Sequence, residues 1–224
     1  SASLFHADEI AFTSLGDGAT SEGEFWEALN TTCLRSLPVL FLVEDNGYAI
    51  SMPVEFQTPG GDISRLVRSF PGLYVDSIDG TDFLASLRSM REAAAYVRAR
   101  KGPAFVHARC TRPYSHSHSD DERLYKTPAE REAEACRDPL VQFAEFLKSN
   151  GLATDRELEA MLEDVDREVN DAALGALQAP KPKKETAALW VYSPDVDPAS
   201  SAFETAPESE GQPDTVVAAI NRTL

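Results

Sequence analysis

A chain of 224 residues with 42% hydrophobic side chains is long enough to bury one good-sized core, or one domain followed by a tail. Its 37 acidic against 21 basic residues give a formal net charge of −16, which argues against nucleic acid or an anionic membrane as the main partner but leaves room for a local basic patch around a phosphate. The three cysteines, Cys33, Cys110 and Cys136, are too sparse for a disulfide framework or a zinc motif and read as inert thiols of a reducing cytoplasm or organelle matrix.

No stretch is apolar enough to span a bilayer, and no charged-then-apolar signal segment opens the chain. It begins at Ser1 with a strand-like segment close behind, so it reads as a piece of a longer protein. Ile10 to Leu15 is expected to form a short buried strand ending at Gly16. Ser21-Glu22-Gly23-Glu24 has the S-x-x-E form of a capping box, which predicts a helix running toward Cys33. Pro38 breaks the chain, and the apolar, β-branched run Val39-Leu40-Phe41-Leu42-Val43 predicts a strand buried on both faces. Leu73 to Ile78 is a further strand candidate. Asp79 and Thr81 are N-cap candidates for a helix from Asp82 to about Ala99, closed by Gly102-Pro103, and Ala104 to Ala108 is another strand. Strands alternating with helices predict an α/β fold, a mostly parallel sheet with helices on both faces, whose ligands bind at the carboxyl ends of the strands.

From Thr111 to Pro128 the chain is polar and irregular. Asp138-Pro139 opens a helix that stops at Asn150-Gly151. Thr154-Asp155-Arg156-Glu157 is a second capping box, and behind it Leu158, Met161, Leu162, Val165, Val169 and Ala172 form an amphipathic stripe expected to pack in the core. Ala179-Pro180-Lys181-Pro182 starts a linker. Pro194 to Asp214, rich in Pro, Ser, Glu and Asp, is expected to be extended or disordered, and Thr215 to Leu224 reads as the start of a new helix.

Two segments that follow predicted strands carry chemistry. In Gly16-Asp17-Gly18 the glycines let the backbone approach a diphosphate, and Asp17 adds a hard oxygen ligand for a divalent cation. Asp45-Asn46-Gly47-Tyr48 closes the next strand. Consecutive parallel strands end on the same side, so Asp17 and Asn46 can converge on one ion. Asp-Gly and Asn-Gly are also ordinary turns with no ligand, and both the third glycine of a dinucleotide turn and the Gly-Lys-Ser/Thr of a phosphate loop are missing. The joint pattern is more specific: Asn46 follows Asp17 by 29 positions, with a helix and a strand between. This resembles the thiamine diphosphate motif, and the string GDGATSEGEFWEALN…VEDNGYAIS resembles the α subunit of the decarboxylating component of 2-oxo acid dehydrogenase complexes. The resemblance implies a thiamine diphosphate-binding fold with C-terminal helices and an extended linker. It also implies Mg²⁺ held by Asp17, the Asn46 side chain and the Tyr48 carbonyl, diphosphate contacts from Gly18 and Ala19, and Ile50 against the bent cofactor. Asp45 departs from the family, which usually has Asn there; it is expected to be tolerated. Transketolases share much of this string.

The second segment is Arg112-Pro113-Tyr114-Ser115-His116-Ser117-His118-Ser119-Asp120-Asp121. Zinc is a poor reading of histidines spaced i, i+2 in a loop without cysteine, and a plain solvated loop is the other bland one. Chemically, arginine suits a diphosphate and histidine suits proton handling near neutral pH. The segment resembles the phosphorylation loop of the same α subunits, which transketolases lack. By that resemblance Arg112 meets the diphosphate and His116 is the active-site histidine. Ser117 falls at the serine that kinases modify in mitochondrial members, and Asp120 and Tyr125 order the loop. Ser115 and Pro113 depart from the family, so the start of the loop is expected to be shaped differently. The Ser-His-Ser-x-Ser-Asp-Asp form is somewhat closer to branched-chain than to pyruvate enzymes.

The resemblance covers Glu9 to about Pro180 and implies missing parts: an N-terminal portion of the α subunit, and a β subunit that activates the cofactor. Asp214 to Leu224 looks like the first helix of such a β subunit, which implies an α–β fused polypeptide. The expected organisation is therefore an α-subunit-like domain over 1–180, a linker over 181–214, and the start of a β-subunit-like domain over 215–224. The implied activity is oxidative decarboxylation of pyruvate or a branched-chain 2-oxo acid with acyl transfer to a lipoyl-bearing acyltransferase, in a dimer or α2β2-like assembly, the isolated fragment being inactive. An acetoin-type dehydrogenase, or a non-catalytic assembly or regulatory module on the same fold, are the alternatives.

Overall fold

A computed structural model of the chain describes residues 8–187, 189, 191, 193, 195–197, 199–204 and 215–223. The chain divides into two units, Ser1–Glu163 and Asp164–Leu224. The first unit opens with β1 (Ala11–Gly16), α1 (Gly23–Arg35) and β2 (Val39–Asp45). A two-residue antiparallel pair, β3 (Tyr48–Ala49) and β4 (Met52–Pro53), follows, then α2 (Ile63–Val67), β5 (Tyr74–Asp79), α3 (Phe83–Arg98) and β6 (Ala104–Arg109). After a long loop come α4 (Pro128–Cys136), α5 (Pro139–Ser149) and α6 (Asp155–Gln178). Helix α6 runs on into the second unit, which also holds short turns and α7 (Val216–Thr223). Pro194, residues 205–214 and Leu224, on which parts of the expected linker and final helix fall, lie outside the described residues.

Among the described residues the four longer strands form one parallel sheet in the order β1-β2-β6-β5. The chain steps from β1 to β2 in one direction and from β5 to β6 in the other. Right-handed crossovers then place α1 and α3 on opposite faces, and the core divides accordingly. Phe25 and Leu29 of α1 and Ile63 and Val67 of α2 pack on Phe41, Val43 and Phe105. On the other face Ala93 and Val97 of α3 pack on Leu40, Ala104 and Val106. Phe25 and Phe41 pack edge to face at 87°, ring centroids 6.4 Å apart. The apolar run of β2 and the five consecutive buried residues of β6 are what two covered faces require.

Local signals fail in instructive places. Strand β1 is not buried throughout: it is an edge strand whose residues alternate, and Phe12 is 56% exposed. The capping box expected at Ser21 does not form. Glu22 is the N-cap of α1 with no side-chain bond, and Ser21 Oγ donates to the Gln57 carbonyl instead (3.3 Å). Helix α3 is capped by Asp82, whose carboxylate accepts from Ala85 N (3.0 Å), because Asp79 is occupied by Thr81 in a turn of its own. The stripe of α6 is not core: Met161, Leu162, Val165 and Val169 are exposed and Leu158 is half-buried. A 3.6-residue period defines an apolar face; it does not say what covers it. No helix of the described residues is long and apolar enough to cross a membrane.

Phe105 sits fully buried on a central strand, so Phe105→Ala is expected to cost about 3–5 kcal/mol of stability. Urea unfolding of the full chain checks this; a loss below about 1 kcal/mol would mean the site collapses around the cavity or is not core.

Candidate functional site

Strands β1 and β2 are neighbours in register, Gly16 opposite Glu44, so their carboxyl ends open side by side. Beyond β1 the chain coils at once into a tight turn, Asp17–Ser21, closed by Thr20 Oγ1 donating to the Asp17 carbonyl (2.7 Å). This turn buries Asp17 to 2% exposure and leaves its Oδ2 without a hydrogen-bond partner. Burial, and next the nearby Asp45 carboxylate, push the Asp17 pKa above the ordinary carboxylate value; the backbone amides of Asp17 and Asn46 and the charge of Arg112 pull against them.

Beyond β2, Asp45 Oδ1 accepts from Gly47 N (2.8 Å) and Asn46 Oδ1 accepts from Tyr48 N (3.1 Å). These side-chain turns, with Gly47 in the left-handed region (φ 81°), reverse the chain into the β3–β4 pair. The pair folds down onto Gly18, where an added Cβ would lie 2.5 Å from the Ala49 Cβ. Ile50 then takes φ 56°, a strained conformation for a β-branched residue. Arg112 Nη1 donates to its carbonyl (2.9 Å) and holds it there.

The result is a cavity of about 560 Å³ lined by Asp17, Gly18, Ala19, Asn46, Tyr48, Ile50 and Gln57, with His116 reaching it from the loop after β6. Of the residues singled out in the sequence, Arg112, Ser117, Asp120 and Tyr125 do not line it. Arg112 stands behind the wall. Its guanidinium lies beside the paired rings of Tyr48 and Tyr125, 5.7 and 5.8 Å from their centroids, and Nη2 donates to Tyr125 Oη (2.7 Å). Its Nε is buried without a partner. Tyr125 Oη in turn donates to Asp120 Oδ2 (2.5 Å), which also accepts from His116 N (2.9 Å). This chain ties the backbone of His116 to the arginine. It lowers the Asp120 pKa, through the Tyr125 and His116 hydrogen bonds. Burial, and next Asp120, push the Tyr125 phenol up to about 12. The Ser117 side chain stays outside this network: it is exposed, with Oγ 3.2 Å from Ser119 Oγ.

Sequence reading missed Gln57, which enters from an irregular segment with no motif, its Nε2 donating to the Met52 carbonyl (2.8 Å). It also missed Lys126. That ammonium is fully buried against the Arg112 carbonyl (3.1 Å), the Glu134 carboxylate and the face of Tyr48 (5.1 Å). The capping box Thr127…Glu130 at the start of α4, legible as T-x-x-E, anchors the chain directly after it. Among the described residues no group of three or more His, Cys, Asp or Glu side chains could cage a metal by itself. A cation at Asp17 would therefore complete its shell from amide, carbonyl, phosphate or water oxygens, as Mg²⁺ commonly does.

A family model described as "Dehydrogenase E1 component" matches residues 3–185. The chain is 34% identical over 189 residues to the mitochondrial pyruvate dehydrogenase E1 component subunit alpha of Sminthopsis macroura, covering 84% of this chain and 51% of that one. It is equally similar to the human somatic form, with 84% and 48% covered. It is 32% identical over 188 residues to the 2-oxoisovalerate dehydrogenase subunit alpha of Bacillus subtilis (strain 168), with 83% and 56% covered. The chain spans about half the length of the curated relatives it matches.

Gly18→Ala should push the β3–β4 pair away from the Asp17 turn and cost about 1–3 kcal/mol by overpacking, read as a lowered Tm; an unchanged Tm would show that the pair gives freely. The loop has its own pH dependence. Asp120 has a lowered folded pKa, so its contribution is full above the ordinary carboxylate range, about pH 4, and disappears as the pH falls through the lowered value. Tyr125 has a raised one, so its contribution is full below the ordinary phenol value near pH 10 and disappears only as the pH rises through about 12. The Asp120 side-chain carboxyl resonance should therefore titrate below the ordinary carboxylate value; a carboxyl that titrates at or above it would separate Asp120 from loop order.

Proposed function

This chain belongs to the dehydrogenase E1 component family, and we propose that it supplies the metal- and diphosphate-binding half of a thiamine diphosphate site that oxidatively decarboxylates a 2-oxo acid, pyruvate or branched-chain, and passes the acyl group to a lipoyl arm. The observation that carries this reading is the buried, unpartnered Asp17 Oδ2, on the wall of a cavity that also receives Asn46, Tyr48 and His116. A carboxylate oxygen withdrawn from water without a partner is costly, and a divalent cation is the partner that the neighbouring amide and carbonyl oxygens would share.

The residues fit the group. Asp17, the Asn46 amide oxygen and the Tyr48 carbonyl would hold Mg²⁺; Asn46 Oδ1 already accepts from Tyr48 N but keeps a second lone pair. Gly18 and Ala19 would present their backbone to the diphosphate at the start of a coil, where the close approach of Ala49 leaves no room for a side chain on Gly18. Ile50, clamped in its strained turn, would press an apolar side chain against the bent cofactor. Thiamine diphosphate, when bound, supplies an electron sink for the pair released as CO₂ leaves the 2-oxo acid. Arg112 keeps a buried Nε–H free beyond its bonds to Ile50 and Tyr125 and sets positive charge near the anionic end of the site. His116, at the mouth, would hold or move a proton near the reacting carbons, its backbone fixed by Asp120.

The relatives named as alpha subunits support a partner of β-subunit kind, on a separate chain or fused to this one. The division proposed with it takes residues 1–180 as the α-like domain, 181–214 as linker and 215–224 as the start of the β-like part. A lipoyl-bearing acyltransferase would take the product, in an α2β2-like assembly of a reducing cytoplasm or matrix.

Asp17→Ala in the full-length protein should abolish Mg²⁺-dependent thiamine diphosphate binding in calorimetry; unchanged binding removes Asp17 from the role. With its partner present, the wild type should reduce a lipoyl domain with pyruvate or with a branched-chain 2-oxo acid, and failure with the whole panel would overturn the proposed reaction.

A further inference from the structure

Behind the cavity lies a histidine that the proposed chemistry does not use. His107 stands on β6, opposite Val43 of β2 on one side and Ser77 of β5 on the other, with no solvent exposure. Strand alternation sends Phe105, His107 and Arg109 to the face covered by α1 and α2, next to Phe41, Val43 and Asp45 of β2. An imidazole in such surroundings is costly unless both its contacts and its charge are accounted for.

Its Nε2 lies 2.8 Å from Asp45 Oδ2, and Asp45 Oδ1 accepts from Gly47 N (2.8 Å). An ionised carboxylate has no proton to give, so with Asp45 charged Nε2 is the donor. On the other side of the ring, Nδ1 faces Asp62 Oδ1 at 3.4 Å. Asp62 is itself held by Ser64 Oγ (2.6 Å) and Arg109 Nη2 (2.9 Å), and Arg109 Nη1 reaches Ser77 Oγ (3.0 Å). The Asp45 carbonyl accepts from Cys110 N (2.7 Å). The last residue of β2 is thus pinned to β6 through backbone and side chain alike, at the point where the chain turns into Asn46-Gly47-Tyr48.

We propose that His107 is a positioning residue for the cation site: through Asp45 it locks the turn that aims Asn46 and Tyr48 at Asp17. The inference rests on the reading of Asp17, Asn46 and Tyr48 as metal ligands. His107 touches none of them and does not line the cavity. With aspartate at position 45, one carboxylate oxygen takes the Gly47 amide and the other the His107 ring nitrogen.

The test uses the full-length protein with its partner and reads Mg²⁺ affinity by calorimetry at saturating thiamine diphosphate. His107→Leu, of similar volume without a donor, should weaken Mg²⁺ by about 10–100-fold, the range usual for groups that orient metal ligands. His107→Gln, whose amide can donate from nearly the same place, should stay within about threefold. Wild-type affinity in His107→Leu overturns the proposal, and so does an equal loss in His107→Gln, which would make the role one of shape. Should His107→Leu fail to fold, His107→Met, likewise without a donor and leaving the Asp45 charge in place, decides: a loss of about tenfold or more supports the lock, and undiminished affinity overturns it. If the wild type itself binds no Mg²⁺ with the cofactor, the metal reading fails separately. The lock is then read from Gly47 amide exchange, which should accelerate about tenfold or more in His107→Leu or, should that not fold, in His107→Met; unchanged exchange overturns it.

Discussion

A carboxylate oxygen taken out of water and given no partner raises the free energy of the fold until something arrives to satisfy it. Asp17 Oδ2 is in that position, and much of the surrounding structure can be understood as holding it there. The Thr20 hydroxyl closes the turn that buries it, the β3–β4 pair roofs the adjacent Gly18, and Asp45 stands close enough to push its pKa further up. Removing the burial would relieve the cost and, with it, the affinity for a cation. A protein that needed only a stable sheet end would place a serine or a glycine there.

Around that centre two rigid supports meet from different parts of the chain. One is the end of β2, fastened to β6 by Cys110 N and by His107. The other is the loop after β6, in which Arg112 joins the Ile50 carbonyl to Tyr125, Tyr125 to Asp120, and Asp120 to the His116 amide. Lys126 adds a buried charge behind Tyr48, offset by Glu134 and Glu122. Removing one partner of such a cluster is costly, since the remaining buried charge is left uncompensated. The strained backbone at Ile50 persists because these supports over-determine it.

The parallel α/β architecture was legible because it rests on local patterns: an apolar run at Val39–Val43, another at Ala104–Ala108, and helices between strands. Caps were less legible. Ser21 and Asp79 have the right chemistry at nearly the right spacing, yet Gln57 and Thr81 claim them, and such competition is set by what folds next to them. The stripe on α6 shows the same limit at larger scale. Its period is real, but Met161 and Val169 remain exposed.

For the site, the sequence by itself determined which residue types are at hand: Asp17 and Asn46 at the ends of two predicted strands, and Arg112, His116, Asp120 and Tyr125 in one polar loop. Spacing along a chain carries that much, because parallel strands end on one side of a sheet. Only the tertiary structure decided that the Asp17 oxygen is orphaned, that Arg112 stands behind the wall rather than in it, and that Ser117 takes no part in the network. It alone brought His107 and Lys126 into the account. Burial and pairing are properties of neighbours distant in sequence, Asp45 and His107 being 62 residues apart, and no local pattern encodes them.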